Sequence, residues 1–351
     1  MKTMQHLALA AALILGAATL AQAATEVKMT GDARVYGNFF SGRNFTGWNK
    51  TGTKTEDNFE IWERFRLRSD FIANEGVKFR LGIKVEDTWG HGTFTAANPE
   101  TAVQVDLAYL QFKYPGTDIE ITAGLQDVNL PQSSMFYMNP VWSDKMAALT
   151  VKAPLIENTM SVLAGFGRLI DTNRTYDTTT TQVADELDAY FLALPITMEG
   201  FKASPWAMLS VVGRNADYSY KDTTDVAEWG NNFNNTLMSA ASSVNRTSAS
   251  GLGRWTNDQN PYFWVGGAFE VTALDPVKFY ADVIYGSGAA GDTKASKREG
   301  WMIDAGVEYT GFDVVTPKVF AFWSTGEDKS TSNGSERMPY MRSYWGPGNS
   351  F

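Results

Sequence analysis

From Phe59 to Phe71 the chain reads FEIWERFRLRSDF, and its two sets of alternate residues have opposite chemistry. Phe59, Ile61, Phe65, Leu67 and Phe71 fall on one side, and Glu60, Arg64, Arg66, Arg68 and Asp70 on the other. A period of two belongs to a β-strand, whose successive side chains point to opposite faces. After the turn residues Ala73-Asn74-Glu75-Gly76 the pattern returns in VKFRLGIKVE, with Val77, Phe79, Leu81, Ile83 and Val85 against Lys78, Arg80, Lys84 and Glu86. The two segments predict a hairpin that is apolar on one face and ionic on the other. A wall between lipid and water needs such strands, because hydrocarbon offers the backbone no partner and only a closed β-structure can then span it. A soluble sheet with one solvated face gives the same alternation.

The connections carry further information. Strands are expected at 27–39, 59–71, 77–86, 103–114, 118–126, 145–154, 159–169, 186–195, 202–213, 261–272, 277–286, 300–310 and 317–324. Short connections fall at 73–76, 115–117, 155–158, 196–201, 273–276 and 311–316. Long ones fall at 40–57, 87–102, 127–144, 170–185, 214–260, 287–299 and from 325 onward. Short and long alternate throughout, as in an up-and-down barrel of the outer-membrane type, with short periplasmic turns and long external loops. A Greek-key sandwich has no reason to sort its loops by end. Aromatic residues recur near strand ends, among them Phe39, Trp62, Tyr114, Trp206, Tyr285, Trp301, Tyr309 and Trp323. That is where interfacial girdles would lie.

The N-terminus is read separately. Lys2, the apolar run Leu7 to Leu20 and Ala21-Gln22-Ala23 compose the three parts of a cleaved secretory signal, residues 1–23. The run of about 14 residues is too short to span a bilayer as a helix. The expected domain plan is this leader followed by one β-barrel over 24–351. No cysteine is present, which excludes disulfides, thiol nucleophiles and thiolate-bound metals. Removing Lys2 takes the formal net charge from −9 to −10, against non-specific binding of nucleic acid. His91, in WGHGTF, is the one histidine after the leader, and no G-x-S-x-G stretch accompanies it. No enzyme activity, cofactor or metal site is expected. The acidic stretches GEDKS and DTNRTYD lack the spacing of an EF-hand loop and are read as solvated.

The chemistry that remains is electrostatic. Arg64, Arg66, Arg68, Lys78, Arg80 and Lys84 share the ionic face of the hairpin with Glu60, Asp70 and Glu86, and Arg34 on the first strand extends it. Lining a pore, such a ladder would bias which ions pass; on a soluble sheet it would be a solvated face. The connection 127–144, DVNLPQSSMFYMNPVWSD, is too apolar to be a freely solvated loop. It is expected either to fold inward as a constriction presenting Asp127 or Asp144 to the arginines, or to pack over a rim or another subunit. Glu63 interrupts the apolar face. Its placement calls for headgroup depth near the external strand end, or for a bulge that shifts the register.

The phrases RVYGNFFSGRNFTGWN, IWERFRLRSDF, NRTYDTTTTQ, NPYFWVGGAFEVTALDP, KFYADVIYG and NGSERMP together resemble the outer-membrane homotrimeric porins of sulfate-reducing bacteria. The resemblance spans essentially the whole chain after the leader. It implies a transmembrane antiparallel up-and-down β-barrel of porin type, about 16 strands or slightly more when complete, set among outer-membrane lipid and lipopolysaccharide. It also implies a homotrimer of water-filled channels for small hydrophilic solutes, with no nucleic-acid partner. Family barrels end in an alternating strand closed by Phe. Here MPYMRSYWGPGNSF ends in Phe351 but does not alternate, and thirteen strands is an odd number, so C-terminal truncation is expected. A sugar-specific channel with Trp62, Trp264 and Tyr280 as a sliding surface is the alternative within the class. A soluble secreted carbohydrate-binding β-protein is the alternative outside it.

Overall fold

The structure is a computed structural model of the 351-residue chain. It describes residues 26–90, 94–95, 98–99, 102–136, 138–171, 186–214, 216, 236–238, 255, 258–330 and 332–341. The leader, His91 and the last ten residues lie outside them. The chain divides into two compact units, Met1–Pro115 and Gly116–Phe351.

The first unit holds β1 (Glu26–Phe40), β2 (Asn58–Asn74), β3 (Val77–Thr88) and β4 (Gln104–Lys113). Each pairs antiparallel with its neighbour in sequence. A two-stranded ladder, Phe94–Thr95 with Asn98–Pro99, lies in the connection between β3 and β4. The register confirms the two-faced hairpin: Arg64 stands opposite Arg34 and Glu86, Arg66 opposite Asp32 and Lys84, Asp70 opposite Lys28 and Arg80. Cross-strand partners share a face, so the ions form rows. Phe59, Phe65, Leu67, Phe71 and Phe79 are exposed on the other side.

The second unit holds β5 (Glu120–Asn129), β6 (Ser143–Ile156), β7 (Met160–Ile170), β8 (Leu187–Ala193), β9 (Phe201–Val212), β10 (Asn260–Val271), β11 (Val277–Ala289), β12 (Lys297–Tyr309) and β13 (Lys318–Ser324). Consecutive strands again pair antiparallel. The short piece Ile196–Met198 pairs within the β8–β9 turn. The fold class is all-β, antiparallel and up-and-down, the strand pattern of a porin-type barrel.

Exposure along β12 runs opposite to that of a soluble sheet. Trp301, Ile303 and Val307 are exposed at 45%, 39% and 39%, whereas Arg298, Asp304 and Glu308 on the other face are buried. The same holds on β10, where Phe263, Val265 and Phe269 are exposed and Glu270 is buried, and on β11, where Phe279 is exposed and Asp282 buried. Call the exposed apolar side the outer face and the other the inner face. The inner face of this unit is covered by the chain's own connections. Leu130, Val141 and Trp142 join Met146, Leu237, Met238, Trp264, Ile284, Met302, Met338 and Met341 in one buried cluster. Tyr262 and Trp264 can lie flat against this wall because Gly288 and Gly286 stand beside them. A methyl group on either glycine would come within 2.1 Å and 2.5 Å of those rings.

Candidate functional site

The ionic face of β1–β3 is built row by row. Asp32 takes Arg66 at 2.7 Å and Arg64 at 3.5 Å, and Arg34 stands one row away on the same face. Arg80 forms a two-pronged pair with Asp70, Nε to Oδ1 at 2.5 Å and Nη2 to Oδ2 at 2.6 Å. Lys84 meets Glu86 at 2.8 Å. Glu60 accepts from the Trp62 indole at 3.0 Å and from the Asn58 amide. Lys78 lies at the turn end, opposite Ile72 and Gln111. Arg68 faces Thr30 and Gly82 and has no acid beside it in its row; its Nε is buried without an acceptor, as is that of Arg64. Three arginines, Arg34, Arg64 and Arg66, thus act on the carboxylate of Asp32, and Arg68 stands one row further on. The expected face therefore exists, with part of its charge neutralised in place and a cationic surplus around Arg68.

Glu63 lies on the outer face, opposite Val35 and Asp87, and the register runs through it unbroken on both sides. The bulge expected as one explanation is absent there; the shift in β2–β3 pairing falls at Ile72/Asn74. Its carboxylate accepts from the Trp89 indole at 2.8 Å.

The strand boundaries expected around Asp127 and Asp144 differ from those found. The alternation continues through Asn129 and resumes at Ser143, so both aspartates are strand residues and the connection between β5 and β6 is residues 130–142. Asp127 sits opposite Lys145 on the outer face, with 3.9 Å between carboxylate and ammonium. Asp144 accepts its neighbour's Lys145 N–H at 2.8 Å. Neither is presented by the covering segment. That segment lies on the inner face of its own unit, and the acids that receive it come from the wall.

Those acids escaped the sequence reading. The Ser133 N–H donates to Asp282 at 2.9 Å, and its hydroxyl donates to the same carboxylate. The Ser134 N–H donates to Glu270 at 2.7 Å, and Lys202 reaches Glu270 at 3.2 Å. Asp304, 1% exposed and directly opposite Asp282, has both carboxylate oxygens enclosed. Next in line, Glu308 bridges Lys318 at 2.8 Å and Lys278 at 3.4 Å. Met135 and Phe136 complete the contact, packing against Tyr280 and Phe320. The signal lay in the even positions of YADVIYG and WMIDAGVEY, which put acids on the face opposite the apolar residues. Nothing local revealed that they hold a segment about 150 residues earlier.

Among the described residues no group of three or more His, Asp or Glu side chains is arranged to hold a metal ion.

No protein-family model matches the chain. No curated protein matches it either. Solved structures do. OmpF of Salmonella typhi, in complex with daunomycin, is 13% identical, with 89% of this chain and 83% of that one covered and a TM-score of 0.47. OprB of Pseudomonas putida, in a high-pH structure, is 10% identical over 81% and 75%, with a TM-score of 0.42. OmpT of Vibrio cholerae, an outer membrane protein in its trimer form, is 12% identical over 92% and 96%, with a TM-score of 0.37.

Proposed function

We propose that the chain forms a general diffusion channel across the outer membrane of a Gram-negative bacterium, passing small hydrophilic solutes and ions. The observation that carries this reading is the inverted exposure of the strands. A soluble sheet would not turn Trp301, Ile303 and Val307 outward while covering Arg298, Asp304 and Glu308. Hydrocarbon outside and water inside ask for that arrangement. Along β12 the outward aromatics also fall at two levels. Trp301 packs on Tyr285 at 4.8 Å between ring centres, and Tyr309 on Phe312 at 4.9 Å. Eight residues separate Trp301 from Tyr309, about 27 Å along an extended strand, close to the apolar band of a tilted transmembrane wall.

In this reading the ionic face of β1–β3 lines water, segment 130–142 narrows the passage, and export uses the N-terminal leader. The homotrimer implied by the resemblance would put lipid and lipopolysaccharide around the outer faces. The sugar-specific alternative loses support, since Trp264 is fully buried with its indole donating to the Pro339 carbonyl at 2.7 Å, and Tyr280 is buried too. The test is single-channel recording in a planar bilayer. Stepwise ohmic conductance is expected, and the variant R64Q/R66Q/R68Q should move the reversal potential towards cations. A protein that inserts into no bilayer and stays monodisperse without detergent would refute the channel.

A further inference from the structure

Beyond the permeation wall, the inner face of β12 and β13 holds a half-enclosed cavity of about 190 Å³. Pro140, Met302 and Phe322 supply its apolar walls, and Arg298, Arg337 and Tyr340 its polar side. Arg298 is 3% exposed. Its guanidinium donates to the carbonyls of Arg337 at 3.2 Å, Met238 at 3.1 Å and Met338 at 3.3 Å, and it lies 5.5 Å from the centre of the Tyr340 ring. A cation is thereby fixed in the floor with its orientation set by the backbone. Arg337 stands at the rim, exposed, and among the described residues its side chain enters no ion pair. Two carboxylates lie nearby: Glu327 accepts from the Ser335 hydroxyl at 2.6 Å and its charge also acts on Arg298, and Glu336 accepts from the Asn333 amide at 2.9 Å, which leaves Arg337 as the cation without an ion-pair partner among the described residues. Neither lines the cavity.

We infer that this cavity binds a small organic monoanion, a carboxylate on a compact apolar body. The guanidinium groups match a carboxylate in charge and planar geometry. Met302, Phe322 and Pro140 then cover the apolar remainder, a surface that an inorganic oxyanion would leave unmatched. The volume is below the roughly 300–1,000 Å³ of sites for drug-sized ligands, so the occupant is small. Because the lining comes from segment 130–142, from the wall and from residues 337–340, a bound ligand also joins these three parts. The site stands on local geometry and does not require that the protein conduct.

Benzoate titrated into the detergent-solubilised full chain by calorimetry tests it, with benzyl alcohol as the neutral isostere and sulfate as the anion without an apolar body. Saturable benzoate binding is expected, with both controls at least about tenfold weaker, the loss that one charge-assisted contact predicts. Arg337→Gln should weaken benzoate about tenfold on the same ground. Ser324, which lines the cavity from exposed β13, allows a second variant: Ser324→Phe fills the space without touching a buried charge and should abolish binding. Benzyl alcohol binding as tightly as benzoate, unaltered binding in both variants, or no saturation would each overturn the inference. Benzoate binding by a protein that forms no channel would leave the site standing and sink the channel reading, whereas channels without benzoate binding would do the reverse.

Discussion

The ionic face of β1–β3 and the inner face of β10–β12 arise from the same alternation, yet they handle charge in opposite ways. On β1–β3 the ions remain partly exposed and compensate one another within and between rows, Arg66 with Asp32, Arg80 with Asp70, Lys84 with Glu86. On β10 and β11 the acids Glu270 and Asp282 are buried and answered by donors from elsewhere in the chain, the backbone and hydroxyl of Ser133 and the backbone of Ser134. An exposed pair contributes little to stability, of the order of 0–1 kcal/mol. A buried acceptor that loses its donors costs more, about 1–3 kcal/mol. The first face is therefore suited to setting a field, and the second to holding a segment in place.

The largest expected effect tests what both faces presuppose, that their reverse sides meet lipid. Placing Arg at Leu67 in the first unit or at Ala305 in the second should each cost about 2–4 kcal/mol of folding stability in a bilayer, the cost of a cation near the hydrocarbon midplane. Denaturant titration of vesicle-refolded protein reads it. A cost near zero at both positions would mean that those faces meet water. If only one position pays, the two units do not share one environment and the comparison breaks there.

Next in size is the hold on segment 130–142. Asp282→Ala removes the acceptor of both Ser133 donors and should weaken closure of the segment by about 2 kcal/mol, seen as faster hydrogen exchange at the Ser133 and Ser134 amides. Asp304→Asn keeps the neighbour's hydrogen bonds and removes one of two enclosed carboxylates, so exchange there should stay the same or slow. If both variants loosen the segment equally, the acids act as one unit and not as holder and neighbour.

The smallest effect sharpens the electrostatic side. The double variant D70N/R80Q removes a balanced pair and should leave the reversal potential across a KCl gradient nearly unchanged, whereas R68Q removes a cation with no acid in its row and should shift it towards cations. The shift should fade between low and molar salt, as the Debye length falls from about 30 Å to about 3 Å. Equal shifts in the two variants would show that local pairing does not decide what an ion senses.

How much of this was legible follows from where each constraint resides. The strand pattern and the ionic rows are local, because a period of two and the tight turn at Glu75-Gly76 fix which residues of β2 and β3 share a face. The apolar run Leu130 to Trp142 announced that its connection must be packed, but apolar character carries no direction, and its anchors Glu270 and Asp282 lie in distant strands. Asp127 was misplaced by a boundary error of three residues, enough to move it from a connection to the outer face of a strand. The cavity at Arg298 needs residues from four separate stretches and has no trace in any one of them.

Glu63 and Asp87 have a consequence for the protein's level in its surroundings. Below them β2 and β3 turn only Phe65, Leu67, Ser69, Phe71, Val85, Ile83, Leu81 and Phe79 outward, and above them Phe59 and Phe39 face each other. A carboxylate bound to the Trp89 indole cannot sink into acyl chains without a large penalty. In a bilayer this row works as a float line, fixing how deep the sheet rides and stopping it from sliding along its own axis.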